Sequence, residues 1–293
     1  MSHTILVTGA TGTVGSELVL ALANRGVTVR AGVHSIIKGD RFSHITSGVQ
    51  LVEMDFHKPE TLHVALTGVE RVFMITPFTD DQVAISKQFI DIARQTGVRQ
   101  LVRLSAAGAE AEPGIQLGRW HRDIEKHLEQ SGLAYSILRP SSFMQNFVEQ
   151  YSESIRHESK FYLPLGEAKV AYIDVRDIAA VAATILTADI NQYNGQAYTL
   201  TGPAALSGQE VAQAIGQARG QAVGYVDVPE VAARQAMAQL PAWMTDALLE
   251  LHAISKAGYA ADTTPTVQEL TGHAPHTIEQ FAHDYQRHFQ PAS

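Results

Sequence analysis

The segment Thr8-Gly9-Ala10-Thr11-Gly12-Thr13-Val14-Gly15 follows a short apolar run, Ile5 to Val7, and leads into residues with helical apolar spacing through Ala23. Three glycines at this spacing suit one task. The first allows a tight turn, the second lets backbone approach a pyrophosphate, and the third lets the helix pack on its sheet. The free N–H groups and partial positive charge of the helix N-terminus add to the same site. The expected ligand is a dinucleotide; a glycine-rich turn without a ligand is the alternative. An Asp or Glu after the second strand would bind the ribose 2′-hydroxyl of NAD and repel a 2′-phosphate. Here the strand runs into His34, with Lys38 and Arg41 just beyond and Asp40 as the only acid between them. A neutral or cationic pocket favours NADP(H) over NAD, unless Lys38 and Arg41 are ordinary solvated loop charges. Asp55 and Phe56, after the third strand, are candidates to hold the adenine by a hydrogen bond and an apolar edge.

These residues need a scaffold that presents strand ends side by side. Apolar runs at 5–7, 27–33, 49–55, 71–77, 99–105 and 134–140 read as strands, and 13–23, 59–66, 81–96 and 117–132 read as helices. Pro59 suits a first helical turn, and Gly26, Gly97 and Gly132 supply stops. Strands alternating with helices imply an α/β fold with a doubly wound parallel sheet. After about residue 157 the alternation loosens. Residues 161–174 are expected to form loop and short strands leading into a helix from Val175, followed by a strand at 197–202 and helices near 207–219, 229–239, 243–257 and 277–289. In "DVRDIA", 174–179, Asp174 is expected to cap the helix and Arg176 or Asp177 to form an ion pair.

Composition limits the alternatives. With 45% hydrophobic and 18% charged residues, a chain of 293 residues can bury a substantial core. The absence of cysteine excludes disulfides, thiolate metal sites and a cysteine nucleophile, and is compatible with a cytoplasmic protein. The net charge of −8 and the lack of a Lys/Arg block argue against nucleic-acid partners. No apolar run approaches the ~20 residues of a membrane span, and no secretory signal is expected. The thirteen histidines show no ligand spacing that predicts a metal site, and no G-x-S-x-G elbow predicts a serine hydrolase.

Taken together, the glycine loop and the segments "LVRLSAAGAE", "WHRDIEKHLEQSGLAYSILRPSSFMQN" and "YIDVRDIAA" resemble the atypical, NmrA-like branch of the short-chain dehydrogenase/reductase superfamily. The resemblance covers residues 4 to 200 well and the last third loosely. It implies an NADP-binding Rossmann domain over 1–157, completed by strands within 170–202, and a smaller, mostly helical substrate-capping region over 158–293. It implies either an NADPH-dependent reductase of conjugated small molecules (quinones, imines or iminium ions, cationic dyes) or a redox sensor that reports to a protein partner without turnover. A sugar epimerase or dehydratase is a third, weaker fit. By the same analogy Thr76, Pro77 and Pro140 border the cofactor.

The departures from the superfamily pattern bear on mechanism. Its Tyr-x-x-x-Lys pair is replaced on the matching helix by His121-Arg-Asp-Ile-Glu125. Ser105 stands near the position of the usual serine, although Ala107 is the alternative alignment. Residues four apart share a helix face, so Glu125 is expected to lie beside His121, raise its pKa and make it a proton donor. A surface ion pair is the alternative. Without the tyrosine–lysine acid, the site suits acceptors whose own conjugation absorbs the charge of an arriving hydride. An apolar pocket is expected, with Phe78, Trp120, Phe143, Met144 and Trp243 as candidate lining.

Overall fold

The computed structural model describes residues 4–36, 42 and 48–291. Lys38, Asp40 and Arg41 lie outside the described residues. In chain order the first half comprises β1 (Thr4–Val7), α1 (Thr13–Ala23), β2 (Thr28–Val33), β3 (Val49–Glu53), α2 (Pro59–Leu66), β4 (Arg71–Met74), α3 (Gln82–Gln95), β5 (Gln100–Leu104), α4 (Gln116–Glu129) and β6 (Ala134–Pro140). The second half comprises α5 (Asn146–Glu149), α6 (Ser152–Glu158), β7 (Lys160–Leu163), β8 (Lys169–Val170), α7 (Val175–Thr187), β9 (Gln196–Leu200), β10 (Leu206–Ser207), α8 (Gly208–Arg219), β11 (Gly224–Asp227), α9 (Glu230–Ala236), α10 (Ala242–Lys256), α11 (Thr266–Thr271), α12 (Ile278–Asp284) and α13 (Gln286–Phe289).

Two compact units share these elements: residues 1–114, 118–139 and 178–199 form the first, and 115–117, 140–177 and 200–293 the second. The first holds a seven-stranded sheet in the order β3-β2-β1-β4-β5-β6-β9. The pairs from β3 through β6 are parallel. Beyond β6, Gly195 N donates to Tyr135 O, and Ser141 N to Leu200 O, so β9 runs alongside in the same direction. Strand order reverses between β1 and β4, which is where an open α/β sheet leaves a crevice at its carboxyl ends. Central strands are buried on both faces: all four residues of β4 are inaccessible, as are Leu62 and Leu66 of α2 and Phe89 and Ile90 of α3, which pack against them. Arg71 is one of the few charges in that interior. Its Nη1 donates to Leu186 O and Ala188 O, carbonyls at the end of α7 that would otherwise be orphaned.

The second unit has its own core, built around Phe147, Phe161, Ile215 and Phe281. Capping boxes start α8 (Ser207 with Glu210) and α12 (Thr277 with Gln280). Here the sequence expectations change most. The boundary drawn at 157 falls at Arg139/Pro140, because Met144 and Phe147 pack into the second core. The helix expected over 277–289 is broken at Tyr285 into α12 and α13. Asp174 caps α7 by accepting from Arg176 N at 2.9 Å, Arg176 reaches Asp174 and Asp284, and buried Asp177 pairs with His276 at 2.7 Å. Among the described residues no helix is long and apolar enough to cross a membrane.

Candidate active site

The glycine loop is shaped by close backbone contacts. Gly9 adopts φ +57°, a left-handed turn that side chains disfavour. A Cβ on Gly15 would stand 2.2 Å from Gly9 O, so the helix can lie this close to the loop only with glycine there. Gly12 caps α1 without a side-chain hydrogen bond, and the first turn of the helix carries no acid. No carboxylate of that turn therefore opposes the partial positive charge of the helix N-terminus. Thr8 locks the loop to the next strand, its Oγ1 donating to Ile75 O at 2.8 Å and accepting from Ile75 N at 2.7 Å.

A groove of about 490 Å³ opens at this point. Gly9, Thr11 and Gly12 form one side, Gly32 and His34 the end of β2, Asp55, Phe56 and His57 the end of β3, and Thr76 and Pro77 the end of β4. The fold therefore brings together most of the residues singled out for the cofactor. Thr13 opens α1, and Val14 and Gly15 are buried behind the loop. Pro140 closes β6 and belongs to the second unit. Lys38 lies outside the described residues. The shape fits a dinucleotide: the groove has bare backbone at one end and an apolar surface at Phe56, itself packed on Phe89 at 5.2 Å. A Cβ on Gly32 would meet Met54 Sδ at 2.4 Å, so a side chain there would have to displace the methionine that backs this wall.

Asp55 is held by its own turn. The backbone N–H of His57 donates to it at 3.0 Å and holds its carboxyl below the usual carboxylate range. His57 in turn bridges Asp81 at 2.9 Å and Asp55 at 3.5 Å, and the Asp81 hydrogen bond raises its pKa. His57 was not foreseen; nothing in the sequence but its place two residues after Asp55 marks it.

A second polar cluster lies where β5 and β6 meet α4. Glu125 is fully buried and accepts two hydrogen bonds from Arg139, at 3.0 and 2.7 Å. It also accepts from Ser105 Oγ at 2.6 Å and Arg122 at 3.1 Å. Burial alone would push its pKa up, but Arg139 and Ser105 outweigh burial and keep it low. Glu125 therefore does not serve His121 as expected. The imidazole Nδ1 instead meets Arg103 Nη1 at 3.3 Å. Burial first, and the Arg103 charge next, push the His121 pKa down to about 3 against the pull of Glu125. The expected rise is reversed, because burial of the ring, aided by the Arg103 charge, outweighs the pull of Glu125. Ser105 commits its hydroxyl hydrogen to Glu125 and offers only lone pairs elsewhere. The arginines were missed because a single charge in a strand such as "QLVRL" has no periodic signature.

Of the candidate pocket residues, Phe78 is exposed and Trp120 half-buried in the first unit. Phe143 and Trp243 are half-buried in the second. Met144 is 1% exposed and packs in the second core, so it lines no pocket. Among the described residues no group of three or more His, Asp or Glu is placed to hold a metal ion.

Comparison with known proteins agrees with this geometry. The family model for the NmrA-like family matches residues 1–282. An NAD(P)H azoreductase from Xenophilus azovorans is 40% identical over 280 residues, 95% of this chain and 96% of the relative. A (4-alkanoyl-5-oxo-2,5-dihydrofuran-3-yl)methyl phosphate reductase from Streptomyces griseus is 32% identical over 293 residues, 98% of this chain and 99% of the relative. In fold the chain is similar to the NADPH-dependent quinone oxidoreductase of Escherichia coli complexed with NADPH, with a TM-score of 0.83 at 24% identity over 95% of this chain and 98% of that one. The chain belongs to the NmrA-like family.

Proposed function

We propose that this protein is an NAD(P)H-dependent reductase, using NADPH in preference to NADH, that reduces a conjugated small molecule such as an azo compound or a quinone. The observation that carries the reading is the full-length similarity to an NAD(P)H azoreductase in a chain that keeps the glycine loop and its groove. When bound, the reduced nicotinamide supplies a hydride. The rest falls to the chain. The first turn of α1 offsets diphosphate charge, Gly12 leaves space beside it, and Phe56 offers the adenine an apolar edge. His34 ends β2 without a carboxylate that would repel a 2′-phosphate. No tyrosine–lysine acid stands on α4, so the acceptor must stabilise incoming charge through its own conjugation. An azo bond does so: hydride adds to one nitrogen, and the other takes a proton from water.

The test is NADPH oxidation against azo dyes, quinones and simple ketones, together with affinities for NADPH and NADH. Azo or quinone turnover should exceed that of ketones, and NADPH should bind tighter than NADH. His34→Glu should weaken NADPH binding by about tenfold, as expected for a carboxylate placed near a phosphate, and leave NADH binding intact. Tight, redox-discriminating cofactor binding without turnover of any acceptor would leave the sensor instead.

A further inference from the structure

The environment of His121 contains a feature that the reductase reading does not use. Arg103 is 1% exposed, and no carboxylate lies within ion-pair distance among the described residues. Its Nη1 donates to the neighbouring Leu104 O at 2.6 Å and faces His121 Nδ1 at 3.3 Å. A guanidinium has five N–H donors and no acceptor. A hydrogen bond between the two therefore requires Nδ1 to present its lone pair, which leaves the ring proton on Nε2. Nε2 has no hydrogen-bond partner among the described residues, and the half-buried ring is not sealed from solvent at that atom.

We propose that Arg103 is a positioning residue: by donating to Nδ1 it fixes His121 as the neutral tautomer protonated at Nε2, a hydrogen-bond donor left free to meet an acceptor molecule. The proposal rests on the reductase reading for the word acceptor and on the geometry alone for the tautomer. Two charged groups bear on the ring, Arg103 from β5 and Glu125 one turn along α4. Glu125 is answered by Arg139 from β6 and Arg122 from its own helix, so the cation prevails. Burial and Arg103 both disfavour the imidazolium, in agreement with the hydrogen bond. An acceptor that reaches Nε2 then meets a hydrogen-bond donor that keeps its proton. For an azo substrate the balance closes with water: one N–H forms from hydride, the other from a water proton, and hydroxide leaves.

The experiment is a long-range proton–nitrogen spectrum of the full chain carrying isotope-labelled histidine, followed from about pH 5 to 8, where an ordinary histidine titrates. His121→Gln assigns the ring signals. In the wild type they should be those of a neutral ring protonated at Nε2, unchanged across the window. Arg103→Lys, which keeps the charge, should keep the ring neutral. Arg103→Met, which removes the donor to Nδ1, should leave a neutral ring that mixes the Nδ1-H and Nε2-H tautomers. A wild-type ring protonated at Nδ1, or taking a second proton within the window, overturns the proposal. So does a ring unchanged in a folded Arg103→Met variant. The spectrum needs no turnover, so failure of the reductase reading would register separately, as NADPH left unoxidised.

Discussion

His121 is neutral in the folded chain, and this has a thermodynamic consequence of its own. Its pKa is pushed down to about 3, against about 6.5 in an unfolded chain. Below about pH 6.5 the unfolded chain binds a proton that the folded chain refuses, so this contribution is complete above that pH and is lost as pH falls toward 3. Chemical denaturation at two pH values on the acid side should show wild-type stability falling by up to about 1.4 kcal/mol per pH unit more than that of His121→Gln. Equal slopes would mean that His121 is protonated in the native state. At this scale the sequence was legible only in part. The four-residue spacing placed His121 and Glu125 on one face, but the partner of each is an arginine on a strand: Arg103 for the imidazole, Arg139 for the carboxylate. Helical periodicity says nothing about which strand residue meets a helix face.

Among elements, α4 shows how a polar residue can secure a helix inside an α/β unit. The fourteen-residue helix is strongly amphipathic, with Ile124, Glu125 and Leu128 on its buried side. Glu125 joins that side to the ends of β5 and β6 through Ser105 and Arg139. Replacing one partner of a buried pair strands the other, at a cost of about 3–5 kcal/mol. Glu125→Ala should lower stability by an amount in that range, while Glu125→Gln, which still accepts from Ser105 and Arg139, should lose less. Guanidinium unfolding midpoints measure both; a loss below about 1 kcal/mol for the alanine variant would show that the network adds little. Elements of the first unit were readable because a strand buried on both faces is a nearly continuous apolar run, as in β4, and a helix such as α3 has helical apolar spacing stopped by a glycine, Gly97. The short strand β8 lies within the stretch 161–174 expected to hold loop and short strands, whereas the two-residue β10 was unreadable, because so short a pairing leaves no pattern.

For the molecule as a whole, the cofactor groove is built entirely from residues of the first unit, on its loops after β1, β2, β3 and β4. NADPH binding should therefore slow amide hydrogen exchange chiefly at residues 9–15, 32–34, 55–57 and 75–77. Slowing confined to the aromatic core around Phe147 and Phe161 would place the ligand elsewhere and count against the groove. The same unit is assembled from separated stretches of chain. β9, which lies against β6, comes from residues 196–200, after the chain has left the unit and returned through α7. On the ribosome, a nascent polypeptide extended only to residue 157 exposes the open N–H and C=O groups of β6 along a bare margin. Until some forty more residues emerge, that margin can be captured by another strand, and a holdase that shields it would raise the yield of native enzyme.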